Sequence, residues 1–293
     1  MDEEVKENYI EAGKIAKDAR DAAEEMSEPG VKLADIAEET EKIITERGAK
    51  PAFPVNLSLN AEAAHYTPAK DTERELSEGD LLKIDVGAHV DGYIADTAVT
   101  VDLGNHGKLT KAVSSALKEA IDIAEAGENL GDIGETIQNE IESFGLKPVR
   151  NLGGHGLDQY VQHSGDRIPN IETSTSSVLE AGNAYAIEPF ATDGAGKVVE
   201  GGEGHIYKYE GGNTRNRTAR KVLKEIKRKY KTLPFASRWF DLSPGRLKLA
   251  FRNLTRSGVV HGYDILREED RGMVSQKEHT ILVLEDQVIV TTR

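Results

Sequence analysis

The sequence has no cysteine. Disulfides, thiolate zinc sites and cysteine nucleophiles are therefore excluded. Aromatics are scarce, with one tryptophan, yet 38% of the 293 residues are hydrophobic, enough for a real core. No run approaches 18 consecutive apolar residues, so nothing reads as a membrane span. The opening MDEEVKENY is acidic from its second residue and has neither the basic nor the apolar region of a secretory leader. Positive charge is also in deficit. The formal balance is −14, which argues against a protein whose whole surface binds nucleic acid. These bounds predict a soluble cytoplasmic protein of one large domain, or one domain carrying an insertion.

What basic charge there is lies together. Between Thr214 and Arg256 fourteen Lys and Arg face two acids, Glu225 and Asp241, a local +12 that leaves −26 for the rest. A step of this size predicts a separately built segment. The glycine-dense run EGGEGHIYKYEGGN, Glu200 to Asn213, predicts a flexible joint before it. TRNRTARKVLKEIKRKYK reads as a helix with Ala219, Val222, Leu223 and Ile226 on one side. PGRLKLAFRNLTRSG reads as a second, with Pro244 at its start and Gly258 just past its end. Phe235, Trp239 and Phe240 between them are expected to pack a small core.

The body alternates helical and extended patterns. Helices are expected around Tyr9–Ala19, through VKLADIAEETEKIITERG, and in two stretches that follow Leu109 and Leu130, each ending at a glycine. LLKIDVGAHVDGYIADTAVTVD predicts two strands joined at Asp91-Gly92. AYAIEPFA and HTILVLEDQVIVTT read as further strands, and PVRNLGGHGLDQYVQH as a glycine-broken strand or loop. One internal echo stands out: Ser77–Asp85 resembles Glu180–Glu188, each with a glycine six residues before an acid that ends an apolar run. Two similar α+β halves, each delivering a carboxylate from a strand, would bring those acids to a shared axis.

Acids on apolar strands carry the chemistry. A lone buried carboxylate costs several kcal/mol, roughly, unless a cation meets it. Four stand in such settings: Asp85 in LLKIDVGA, Asp96 in GYIADTAVTV, Glu188 in AYAIEPFA and Glu278 in QKEHTILVL. His155, between glycines in NLGGHG, joins them in chain order. Four carboxylates and an imidazole suit a pair of divalent ions such as Mn, Fe(II), Co or Zn.

With these residues in view, the chain resembles the type 2 methionine aminopeptidases, the archaeal and eukaryotic form within the pita-bread metallopeptidases. The matching pieces are AFPVNLSLNAEAAHYTP, KIDVGAHVDGYIADTAVTV, PVRNLGGHGLDQYVQH, AYAIEPFATDGAG and QKEHTILV. The resemblance implies an α+β pita-bread fold of two pseudo-symmetric halves, formed by residues 1–204 and 271–293, with a helical, winged-helix-like insertion at 205–270. It implies two divalent ions held by Asp85, Asp96, His155, Glu188 and Glu278. It implies that Glu188 moves the proton, that His163 meets the scissile carbonyl or its oxyanion, and that His65 contacts substrate. Phe53 and Tyr263 are expected to wall the methionine side chain, and His205 to line the same pocket. His89, His106 and His261 are expected at the surface, and His279 to point away from the metals by strand alternation.

The activity so implied is removal of the initiator methionine from nascent chains with a small second residue, by a monomer. Two rivals share the pattern: a prolidase or aminopeptidase P acting on Xaa-Pro bonds, and a non-catalytic, ribosome-associated homologue. For the basic insertion two readings stand open, a solvated wall of the pocket and a surface steered onto ribosomal RNA.

Overall fold

The computed structural model describes residues 1–293. Helix α1 (Glu3–Glu25) begins where the Asp2 carboxylate accepts the Val5 N–H at 2.9 Å, with Glu3 and Glu4 in its first turn complementing the positive helix end. Half of its buried stripe is alanine, Ala12, Ala16, Ala19 and Ala23, which lets it lie close against the first sheet. Helix α2 (Leu33–Glu46) packs beside it and stops before Gly48, whose φ of 88° only glycine adopts freely. The short strands β1 (Lys50–Pro51), β2 (Asn56–Leu59) and β3 (Glu62–Ala64) follow. Strands β4 (Leu81–Val90) and β5 (Tyr93–Asp102) form the expected hairpin, with Asp91 and Gly92 both at positive φ in the turn. Strand β4 also pairs with β1 and β2.

The second half repeats the scheme. Helices α3 (Gly107–Asp122) and α4 (Leu130–Ser143) pack on each other and cover a second sheet. After β6 (Lys147–Pro148) the glycine-broken segment is a hairpin, β7 (Gly153–Asp158) and β8 (Val161–Pro169). Then come β9 (Ala184–Ile187) and β10 (Phe190–Thr192). The echo read in the sequence is a repeat in three dimensions. Gly79 and Gly182 have φ of 88° and 90° and donate to Leu103 O and Val283 O at 2.8 and 2.7 Å. Upstream, Lys32 bridges Glu75 just as Asn129 bridges Val178, each at the head of a helix.

The basic segment hangs on a two-stranded ribbon of β11 (Val198–Tyr209) and β13 (Val260–Glu268). The glycine-dense run expected to be a joint is therefore largely strand. Gly201, Gly202 and Gly204 fall where the pairing register slips, between Glu200 and Ile206, so they supply bulges rather than a hinge. Helix α5 (Arg217–Lys229), strand β12 (Phe235–Ala236) and helix α6 (Pro244–Arg256) fold onto the ribbon around a core of Phe235, Phe240, Phe251 and Tyr207. Trp239 packs against that core from a single 3-10 turn. Strands β14 (Val274–Gln276), β15 (His279–Val283) and β16 (Val288–Val290) complete the chain; β14 joins β10, and β15 lies between β9 and β16. No helix is long and apolar enough to cross a membrane.

Candidate metal centre and substrate cavity

Strand register brings the five expected donors together. On β4 and β5, Gly87 faces Asp96 while Asp85 lies two residues along the same face. His279 pairs with Ile187, so continuing that register by one residue sets Glu278 against Glu188 at the ends of β15 and β9. Glu278 also bridges Ala98, and Thr97 Oγ1 donates to Glu278 O at 2.9 Å, which ties the two sheets at the seam. His155 stands on β7 opposite Ala186 of β9. Donor atoms of Asp96, His155 and Glu278 lie within 4.8 Å of one another, and all five side chains line one cavity of about 350 Å³.

The electrostatics fit a divalent ion. Asp85 Oδ1 and Asp96 Oδ1 are buried without a hydrogen-bond partner. No Lys or Arg forms an ion pair with any of the four acids; Asp96 has only His155 Nε2, at 3.8 Å. Burial and then the Asp96 charge push Asp85, Glu188 and Glu278 well above the ordinary carboxylate range, and burial pushes Asp96 up to about 7. Such mutual repulsion is relieved by a bound cation. The imidazole is arranged for the same purpose. His155 Nδ1 lies 3.2 Å from Gly156 O, and a carbonyl can only accept, so the proton sits on Nδ1 and the Nε2 lone pair faces the acids. Burial lowers its pKa to about 4, which keeps it neutral.

The cavity walls hold most of the expected substrate residues. Phe53, His65, His163 and Tyr263 all line it. His65 has a φ of 67°, stands edge-on to Tyr263 at 5.3 Å, and places Nδ1 3.3 Å from Asp264 O. By the same logic as His155, its Nε2 carries the lone pair; burial lowers its pKa to about 4. His163, exposed at the cavity mouth, stands edge-on to His155 with ring centres 4.4 Å apart. His205 is not brought to this cavity. Ile206 lines it instead, so alternation turns His205 into a separate hollow beside Glu203, Tyr207 and α6. His89 is a second departure. It is only 6% exposed and accepts the Gly92 N–H on Nδ1 at 3.1 Å, because the turn folds back over the strand end. His279 does point away, its Nδ1 2.8 Å from Thr292 Oγ1.

Among the cavity residues the sequence does not point to are Asn56, Gln162 and Arg167. Asn56 stands opposite Asp85 with Oδ1 buried and unpartnered. Gln162 Nε2 reaches Asp96 Oδ2 at 3.5 Å. Only their parity with the ligand-bearing strands marks them. Behind the donors, Gln276 Nε2 donates to Glu188 Oε2 at 3.2 Å and holds one of its oxygens.

Two α+β halves with a carboxylate-rich, cation-seeking centre at their seam define a pita-bread metallohydrolase. The chain belongs to metallopeptidase family M24, whose profile matches residues 7–285. It is 51% identical over 291 residues to the methionine aminopeptidase of Pyrococcus horikoshii, covering 98% of this chain and 99% of that one. Among solved structures, methionine aminopeptidase from Thermotoga maritima superposes with a TM-score of 0.73 at 25% identity, covering 100% of this chain and 98% of that one. A thermophilic Arx1 superposes with a TM-score of 0.85 at 19% identity, covering 99% and 91%, which shows a shared fold.

Proposed function

We propose that the chain removes the N-terminal methionine from nascent proteins, using two divalent ions held by Asp85, Asp96, His155, Glu188 and Glu278. The observation that carries this reading is the uncompensated carboxylate cluster beside an imidazole of fixed tautomer. Bound divalent ions would supply Lewis-acid polarisation of the scissile carbonyl and acidify an attacking water. Their identity (Co, Mn, Fe(II) or Zn) is open to availability as much as to the donor set.

The protein's own groups do the rest. Glu188, one oxygen steadied by Gln276, takes the proton from water and returns it to the leaving amine. His163 donates a hydrogen bond to the developing oxyanion. His65 Nε2, an acceptor, receives an N–H of the substrate backbone. Phe53 and Tyr263 pack on the methionine side chain. A small residue after the methionine is favoured and bulky ones are refused.

Acting on nascent chains, the enzyme works as a monomer in the cytoplasm. Helix α5 presents Arg220, Lys221, Lys224 and Arg228 to solvent, which supports docking of the insertion on ribosomal RNA. The test is metal content of protein isolated without added metal, followed by cleavage of Met-Ala-Ser against an Xaa-Pro peptide. Faster Xaa-Pro cleavage would replace this reading with that of a prolidase, and absence of both metal and cleavage with that of a non-catalytic homologue.

A further inference from the structure

The segment Tyr230–Phe240, between α5 and α6, touches the cavity and bonds two stretches of chain that lead into it. At one end Lys231 Nζ sits 3.4 Å from the centre of the Tyr160 ring, and Thr232 Oγ1 donates to Tyr160 O at 2.5 Å. Tyr160 is the turn of the β7–β8 hairpin that continues into Gln162 and His163. In the middle, Pro234 faces the cavity. At the other end Arg238, with 4% of its side chain exposed, donates to Thr67 Oγ1 at 2.6 Å and to Pro68 O at 3.2 Å, and pairs with Glu41.

Glu41 in turn holds the facing stretch of chain. It accepts the Val55 N–H at 3.2 Å on Oε1 and the Trp239 indole N–H at 2.7 Å on Oε2. Thr67 Oγ1 passes the contact on to Val55 O at 2.7 Å. Arg238 thus ties Val55 and Thr67, which flank the cavity residues Phe53 and His65. His65 needs such support. Its left-handed backbone persists in a residue with a side chain only when the surroundings hold it. Stability alone does not call for an ion pair here, because an apolar pair of similar volume generally serves as well in a buried site. A guanidinium whose two terminal nitrogens bond different segments, Thr67 and Pro68 on one side and Glu41 on the other, does supply what apolar packing lacks, a fixed distance and angle between them.

We propose that Arg238 is a positioning residue for the pocket that receives the substrate's first residue, acting through Glu41 and Thr67 on Phe53 and His65. The proposal rests on the aminopeptidase reading above. Trp239, the only tryptophan, reports on the same contact by its emission. In folded R238M we expect a raised KM for Met-Ala-Ser, a fall of about 100-fold in kcat/KM, and a red-shifted emission as the indole loses Glu41. R238K keeps the charge without the fork and should recover part of the KM, and E41Q should raise KM in the same direction. A purely structural role would lower melting temperature and active fraction but leave KM alone. Folded R238M with unchanged KM overturns the proposal; should R238M not fold, unchanged KM and emission in R238K and E41Q overturn it. If the parental chain does not cleave Met-Ala-Ser, the aminopeptidase reading and this proposal fall together, whereas cleavage by the parental chain with equal cleavage by R238M sinks the proposal alone.

Discussion

The ring of Phe53 lies directly over Gly87, so close that a Cβ on Gly87 would sit 2.1 Å from Phe53 Cε1. The aromatic wall of the cavity thus fills the place where a side chain of the ligand-bearing strand would otherwise stand. Gly87→Ala should push the ring into the cavity. A loss of about 1–3 kcal/mol in stability is expected from the overpacking, with a raised KM for Met-Ala-Ser. Thermal melts and steady-state kinetics check both, and an unchanged KM would show that the ring escapes elsewhere.

Asp96→Asn should cost more than about 10³-fold in turnover, because on the proposed reading Asp96 is a donor central to the metal site. The metal-stripped protein should respond in the opposite sense. Asp96 has its pKa raised to about 7 by burial, so ionising it in the fold is unfavourable. Stability contributed by its protonated form is present at pH values below the ordinary carboxylate range and is lost as pH rises toward about 7. The melting temperature of stripped Asp96→Asn should therefore match that of the parental protein near pH 4 and exceed it increasingly up to pH 7. A gap that shrinks with rising pH would refute the account.

His89 predicts acid lability far from the chemistry. Burial, with Lys50 and Lys231 nearby and Asp91 opposing them, lowers its pKa to about 4. The unfolded chain binds this proton near pH 6.5, so stability is full above that value and is lost as pH falls toward 4, by at most about 3 kcal/mol. His89→Gln should flatten this part of the pH–melting curve while keeping an acceptor for Gly92 N–H. An equally steep curve in the variant would assign the lability to other groups.

The ribosome half of the proposed function is read by salt. Changing Arg220, Lys221, Lys224 and Arg228 to Gln should weaken ribosome co-sedimentation and flatten its dependence on salt, since each phosphate contact adds to the slope. Met-Ala-Ser cleavage should be unaffected, because these side chains lie in solvent on α5. Equal sedimentation across the titration would leave the charge with no role beyond solubility.

The five cavity residues proposed as donors are legible because each is an acid or imidazole out of place among apolar or glycine neighbours. The repeat was legible because Gly79 and Gly182 must each turn the chain at positive φ before a strand. His205 departs from expectation because the bulges of β11 reset which residues face inward, and a glycine-rich strand gives no apolar rhythm from which to recover the parity. His89 reads as a surface residue because the sequence marks the Asp91-Gly92 turn but not its folding back to set the Gly92 N–H on the imidazole. The Arg238–Glu41 pair joins residues 197 apart, and nothing local in either segment announces the other.

The bond from Thr97 to Glu278 closes a loop of 181 residues, and β15 must reach β9 before Glu278 can stand against Glu188. A growing chain therefore carries Asp85, Asp96, His155 and Glu188 well before their last companion is made. Until it arrives the β4–β5 hairpin can set only Asp85 and Asp96 on one face, without the seam that buries all five. On the proposed reading, capture of divalent ions by the full donor set is then an act of the finished fold.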